Sequence, residues 1–396
     1  MECSSIIKLE KMDNNRSEQQ EKVAVILLQY GGPDDQDSVQ PFLFNLFNDP
    51  YIIEAPAFVR WPLAHLLSRL RAPKARAIYQ EMGGGSTIKS YTQSQADELG
   101  TVLNSQQFGL GEVKTFVAMR YWHPLSLEAV KQVQAFNPDK VVLLPLYPQY
   151  SRATTGSSYR VWQQACEKLN YSVPTWLICC YPDEPGFIEG MAQLVHKQYQ
   201  EALENQKKAE TSEKKPRVLF SAHGLPRSFI RKGDPYHAQV ELSCQKVVET
   251  MRDNMGMKDL DWRICFQSKV GPMQWLTPNT EDEIKQAGQE GLSVVLVPIA
   301  FVSEHSETLV ELDIEYAELA QEAGVPDYQR VPTINARMSY IDSLAEQVRS
   351  ALGKEPGVVS YNGGRICSQD RSRCPCRMQA MPDMKPAVQG WGDNVQ

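Results

Sequence analysis

The sequence predicts an α/β fold in which two units of similar build each carry a parallel β-sheet flanked by helices. Three observations lead there. Short apolar runs recur along the chain, helical patterns lie between most of them, and the pattern restarts midway. A run that is apolar at every position is buried on both faces, as a parallel strand is when helices cover it on either side. With 396 residues, 42% of them hydrophobic, the chain can bury a large core and form roughly two to three domains.

Residues 1–22 are polar and charged and read as a disordered tail. The first strand spans 23–28 and runs into Gln-Tyr-Gly-Gly-Pro, a loop that ends it. Further strands are expected at 114–119, 140–146 and 175–180, with a helix at 126–135. These make an N-terminal unit at 23–178. A helix at 189–205 leads into a charged surface loop at 205–216. Strands at 217–222, 262–266 and 293–301, with helices at 238–254 and 307–323, make a second unit at 179–352. From 353 to 396 the chain is rich in Gly, Pro, Asn and Arg without periodicity, and reads as an irregular tail.

The net charge of −7 argues against a nucleic-acid partner, which calls for a clustered basic face. Six of the nine cysteines are scattered without regular spacing, so a disulfide framework is not expected and a reducing compartment is. The first residues lack the apolar stretch of a signal peptide, and no window reaches the ~20 apolar residues of a membrane-spanning helix. The protein is expected to be soluble or bound to a membrane surface. The segment 57–70, AFVRWPLAHLLSRL, is mostly apolar and has Arg60, Arg69, Arg71, Lys74 and Arg76 in or just after it. That pattern suits a membrane interface or an apolar anionic ligand, and equally an ordinary buried helix.

Open α/β sheets bind ligands beyond the carboxyl ends of their strands, so chemistry is sought there. His223 follows the strand at 217–222 in His-Gly-Leu-Pro. A neutral imidazole there can ligate a transition metal or accept a proton; taken alone, a hydrogen-bonded loop histidine accounts for it as well. After 293–301 come Glu304, His305, Glu307, Glu311 and Glu315. Glu307, Glu311 and Glu315 recur every four residues and form one acidic stripe on a helix. The stripe is either a solvated face or a path for divalent metal or protons. There is no HExxH and no paired CxxC, so a metal handled in passing, as a substrate, suits these residues better than a structural one. Gly83-Gly84-Gly85-Ser86 lacks dinucleotide-binding spacing, and Pro33 removes a donor that a phosphate would want.

Seven strings, taken together, resemble the ferrochelatase family of bacterial type: LLQYGGP at 27–33, YQEMGGGSTI at 79–88, MRYWHPL at 119–125, LYPQYSRATTGSS at 146–158, FSAHGLP at 220–226, CFQSKVGPMQWLTP at 265–278 and PIAFVSEHSETLVELDIEY at 298–316. They occur in the family's order across about 23–350. The resemblance implies two Rossmann-like domains of the class II chelatase kind with a porphyrin cleft between them. It implies insertion of Fe²⁺ into protoporphyrin IX, the last step of haem biosynthesis, with porphyrin and Fe²⁺ as substrates. His223 and Glu307 would be catalytic and hold the metal. Tyr30, Arg71, Tyr79, Ser86, Arg120, Tyr121, Trp275 and Phe301 would contact the porphyrin. Glu304, His305, Glu311 and Glu315 would continue the acidic track. A related chelatase acting on another porphyrin or metal, and a non-catalytic tetrapyrrole carrier, are the alternatives. A carrier needs no pairing of a base with an acidic relay.

Animal members carry a [2Fe–2S] cluster on one internal and three C-terminal cysteines. Here Gly190 stands at the internal position, and Cys367, Cys374 and Cys376 follow a different spacing. A cluster needs four thiolates. With the fourth unidentified, no permanent cofactor is expected, and the tail cysteines read as surface thiols.

Overall fold

The computed structural model describes residues 20–210, 214–268, 273–362 and 364–377. Strands β1 (Lys22–Gln29), β2 (Glu112–Met119), β3 (Lys140–Pro145) and β4 (Thr175–Ile178) form one sheet, and β5 (Arg217–His223), β6 (Asp261–Gln267), β7 (Val294–Pro298) and β8 (Tyr328–Arg330) another. Every pairing in both is parallel. The strand order is 2-1-3-4 in the first four strands and 6-5-7-8 in the second, so the two sheets repeat one topology. Each has its switch point between its first and third strands, where a crevice opens at the carboxyl ends.

Continuous burial explains the strands: β1 is buried from Val23 to Gln29 and β7 throughout. Helices cover both faces. Between the sheets, α6 (Pro185–Ala209) contributes Phe187, Met191 and Val195 to a core that also takes in Val25 and Val142 of the first sheet and Val218 and Val297 of the second. Each unit also contains a wider π-helix after its third strand, at Arg152–Gly156 and at Glu307–Glu315. Such segments are uncommon and cluster at functional sites. The helix expected at 307–323 therefore exists, but its first nine residues are wound with a wider turn before α-helix resumes at Tyr316.

The C-terminal third differs from expectation. Helix α11 (Met338–Leu352) packs on β3 and β4 of the first sheet and on α6, burying Ile341, Leu344 and Val348. Beyond it, β9 (Gly357–Val359) pairs with β4 and becomes the fifth strand of the first sheet. Three residues are too short a run to announce a strand, and the pairing is with residues almost two hundred positions earlier.

Candidate active site

The two switch points face one cleft with mostly apolar walls. Gln29 and Tyr30 from the end of β1 and Leu146 and Tyr147 from the end of β3 line it on one side. His223 from the end of β5, with Ala300, Phe301, His305 and Glu307 after β7, lines the other.

His223 is the last residue of β5, and its backbone carbonyl accepts the Tyr236 hydroxyl at 3.0 Å. Its Nδ1 lies 2.8 Å from Glu307 Oε2. That contact leaves Nε2 for the cleft. Burial disfavours a charged imidazole, but the Glu307 charge and hydrogen bond prevail and raise the His223 pKa. The same pairing outweighs burial at Glu307 and holds its carboxyl at about 2. His305 goes the other way: burial favours its neutral form over the pull of Glu307.

The stripe runs outward from that pair. Glu311 accepts the Ser268 hydroxyl at 2.8 Å and the Tyr316 hydroxyl at 2.9 Å. Burial, then the charge of Glu307, raises its pKa, so Glu311 takes up a proton more readily than an ordinary glutamate. Glu315 is exposed. Glu304 turns away from the cleft, its Oε1 taken by Arg330 at 2.7 Å and by the Thr333 amide at 2.9 Å.

The remaining expected residues fall into four groups. Tyr30 and Phe301 line the cleft, Phe301 against His305 with ring centroids 4.6 Å apart. Tyr79 and Trp275 stand just behind it. The Tyr79 hydroxyl bonds Ser306, and burial pushes its pKa to about 12. Trp275 packs over Gly224, where an added Cβ would meet the indole at 3.4 Å. Ser86 is tied to Pro33 by its backbone amide at 2.8 Å, beside Gly32, while Arg71 is exposed on α2 (Ala57–Glu81). Arg120 and Tyr121 do not reach the cleft wall. Both are buried around Asp49, which accepts Arg120 Nη2 and the Tyr121 hydroxyl at 2.7 Å each, and Tyr121 in turn supports the Tyr30 ring at 4.8 Å.

Arg60 also departs from expectation. It is buried, donating to the Asn48 carbonyl at 2.8 Å, whereas Phe58, Trp61 and Leu70 of the same helix are 80%, 56% and 68% exposed. Helix α2 thus keeps a cation inside and shows apolar side chains outside, the reverse of a surface helix on a soluble core. Glu54, just before it, contacts Arg152 of the first unit and Lys232 of the second. No helix among the described residues is long and apolar enough to cross a membrane.

The tail cysteines are not surface thiols. Cys374 is buried, and Cys367, Cys374 and Cys376 meet Cys179 and Cys180 at the end of β4. Cys179 Sγ lies 3.2 Å from Cys376 Sγ and 3.5 Å from Cys180 Sγ. Gln239 donates to Cys180 and Cys367 at 3.3 and 3.1 Å. Hydrogen bonds from Cys367 and Cys376 pull the Cys374 thiol far below the usual range. Cys179 and Cys180 thus stand beside the three tail cysteines, so further thiols are close by. In this arrangement the sulfurs contact one another, and among the described residues no three His, Cys, Asp or Glu side chains surround a common metal position. Seating a cluster requires the thiols to turn apart.

Sequence reasoning missed Tyr147, Gln149 and Tyr236 as cleft residues, and Asp49, Ser268 and Arg330 as the partners of Tyr121, Glu311 and Glu304. For Tyr147 and Gln149 the signal was there, since both directly follow a strand in Tyr-Pro-Gln-Tyr.

Fold and site together define a two-sheet α/β protein with a histidine–carboxylate pair in an apolar cleft. The ferrochelatase family model matches residues 22–352. A ferrochelatase of Caulobacter vibrioides (strain NA1000 / CB15N) is 48% identical over 357 residues, covering 90% of this chain and 98% of its own. That of Pelagibacter ubique (strain HTCC1062) is 45% identical, with 90% and 98% covered, and that of Rickettsia bellii (strain OSU 85-389) 41%, with 92% and 97%. Among solved structures, SirB from Bacillus subtilis with Fe³⁺ covers 85% of this chain and 99% of its own at a TM-score of 0.48 and 11% identity. The chain belongs to the ferrochelatase family, whose members are metal chelatases of the lyase class.

Proposed function

We propose that the protein inserts Fe²⁺ into protoporphyrin IX to form protohaem, and that the paired His223 and Glu307 in the apolar cleft are the residues that do it. The reaction releases two pyrrole protons and strips water from the ion. His223 Nε2 takes a proton from the ring, and Glu307 at Nδ1 holds the resulting imidazolium. Glu311, with its raised pKa, receives a proton next, and exposed Glu315 passes it to water. Fe²⁺ is the substrate and moves along the same oxygen and nitrogen donors, which hold it loosely enough to let go. The Tyr30, Tyr147 and Phe301 rings give the macrocycle flat walls.

The exposed apolar face of α2 supports a lip that meets the bilayer, where an insoluble porphyrin is received. It favours protoporphyrin over the more acidic coproporphyrin. Cytoplasmic location at the inner membrane follows from this reading. Cys367, Cys374 and Cys376 with Cys179 or Cys180 have the donor chemistry to hold a [2Fe–2S] cluster, which when bound supplies one-electron redox chemistry.

The test is purified protein with Fe²⁺ and either porphyrin, followed by absorbance. Metallated protoporphyrin is expected. Binding of both substrates without turnover would mean a carrier.

A further inference from the structure

The helix that carries Glu307 and Glu311 is anchored at its start by the His305 amide, which donates to Thr308 Oγ1 at 2.9 Å, and farther along by a neighbouring strand. It is a π-helix, and its first residue is preceded by Ser306, whose side chain makes no capping bond. Contacts from outside the helix also bear on the aim of Glu307 at His223.

The edge strand β8 supplies these contacts. Among the described residues it pairs with β7 alone, Val294 to Tyr328 and Leu296 to Arg330. Tyr328 and Arg330 are two residues apart, so they share a face of the sheet, and both reach the π-helix. The Tyr328 hydroxyl donates to the Leu312 carbonyl at 2.7 Å. The Arg330 guanidinium forks onto Asp313, with Nε 2.6 Å from Oδ1 and Nη2 on Oδ2, while Nη1 donates to Glu304 Oε1 at 2.7 Å. Glu304 stands three residues before Glu307 and Asp313 six after it. One planar group thus pins the chain on both sides of the metal-handling carboxylate. A forked arginine–carboxylate pair fixes direction as well as distance, and Arg330 and Glu304 are both nearly buried, where water screens such a pair least.

We propose that Arg330 is a positioning residue of the chelation reaction, with Tyr328 as a second anchor: β8 sets the rotation and depth of the π-helix and so delivers Glu307 to His223 and to the incoming ion. This rests on the chelatase reading above.

The experiment compares Arg330→Gln, Arg330→Lys and Tyr328→Phe with the unaltered protein. It measures KM for Fe²⁺, kcat, porphyrin Kd by fluorescence quenching, melting temperature, and hydrogen exchange of the amides at 307–315. Arg330→Gln is expected to lower kcat/KM for Fe²⁺ by about tenfold or more, leave porphyrin Kd within about twofold, and speed exchange at 307–315. Arg330→Lys should recover part of the iron parameters, because it keeps a cation beside Glu304 but loses the fork on Asp313. Tyr328→Phe should give a smaller change of the same kind. Unchanged iron kinetics and exchange would overturn the assignment. So would a porphyrin affinity that falls in step with them, which means general loosening. If Arg330→Gln does not fold, the other two variants decide by the same split. Failure of the unaltered protein to metallate porphyrin would defeat the chelatase reading instead, and the exchange data would still report on the brace.

Discussion

His223 Nδ1 and Glu307 Oε2 lie 2.8 Å apart, although one ends a strand and the other begins a π-helix 84 residues later. The contact fixes which nitrogen of the ring faces the cleft and shifts both titrations. His223→Ala removes the base while leaving the β5 backbone pairing in place. The expected result is a folded protein with a melting temperature close to that of the unaltered chain and turnover lowered at least a hundredfold, as general-base loss typically brings. Near-normal turnover in a folded variant would sink the assignment.

The shifts set a pH dependence whose sign is fixed. His223 is raised from 6.5, so its proton-accepting form is gained only above that pH, and the acid limb of kcat/KM should lie above 6.5. In Glu307→Gln the opposing charge is gone, burial dominates, and the limb should move toward acid while turnover falls. For stability, depressed Glu307 contributes above its ordinary 4.5 and loses that contribution as pH falls toward about 2. Raised His223 contributes below 6.5 and loses that contribution as pH rises through its folded value. The pair therefore stabilises most between pH 4.5 and 6.5. Thermal melts of Glu307→Gln and the unaltered chain should differ most in that window; a constant difference across pH would exclude the coupling.

Substitution along the stripe should weaken outward. Glu307→Gln should lower turnover strongly, Glu311→Gln moderately, and Glu315→Gln only slightly, since water replaces an exposed relay member. A merely solvated stripe predicts equal activity in all three, each slightly more stable by a few tenths of a kcal/mol for every like-charge pair relieved. Turnover and melting temperature for the three variants separate these outcomes.

Changing Phe58, Trp61 and Leu66 to serine removes three exposed apolar side chains from α2. Even partial insertion of each into a bilayer is worth about 1 kcal/mol, so liposome co-sedimentation should weaken by well over tenfold. Because these side chains are exposed, the melting temperature should hardly move. Unaltered sedimentation would remove the lip from the functional reading.

The thiol group has its own test. Protein isolated without oxygen should carry about two iron atoms and two acid-labile sulfides per chain. Cys374→Ser, which removes the sulfur hydrogen-bonded to both Cys367 and Cys376, should abolish them. A metal-free unaltered protein whose tail cysteines alkylate at the rate of exposed thiols would show that nothing binds there.

By itself the sequence determined the layers. Continuous apolar runs such as 23–28 and 293–301 can be satisfied only inside a sheet covered on both faces, and their recurrence gives two sheets. It also marked the strand ends, and so His223 and the start of the acidic stripe, because chemistry in this architecture sits where strands stop. Tertiary structure decided what local pattern does not encode. Arg120 and Tyr121 look like ligand contacts in sequence but are spent on buried Asp49. Helix α2 faces its phenylalanine and tryptophan outward and its Arg60 inward, a choice set by the Asn48 carbonyl that Arg60 serves. The π-helix that carries Glu307 and Glu311 is bonded at Leu312 and Asp313 by Tyr328 and Arg330 of a three-residue edge strand. Cys179 and Cys376 touch across 197 residues because β9 docks on β4. Each of these rests on a pairing between groups distant in the chain, made favourable by burial or by complementary charge, and periodicity carries no record of such partners.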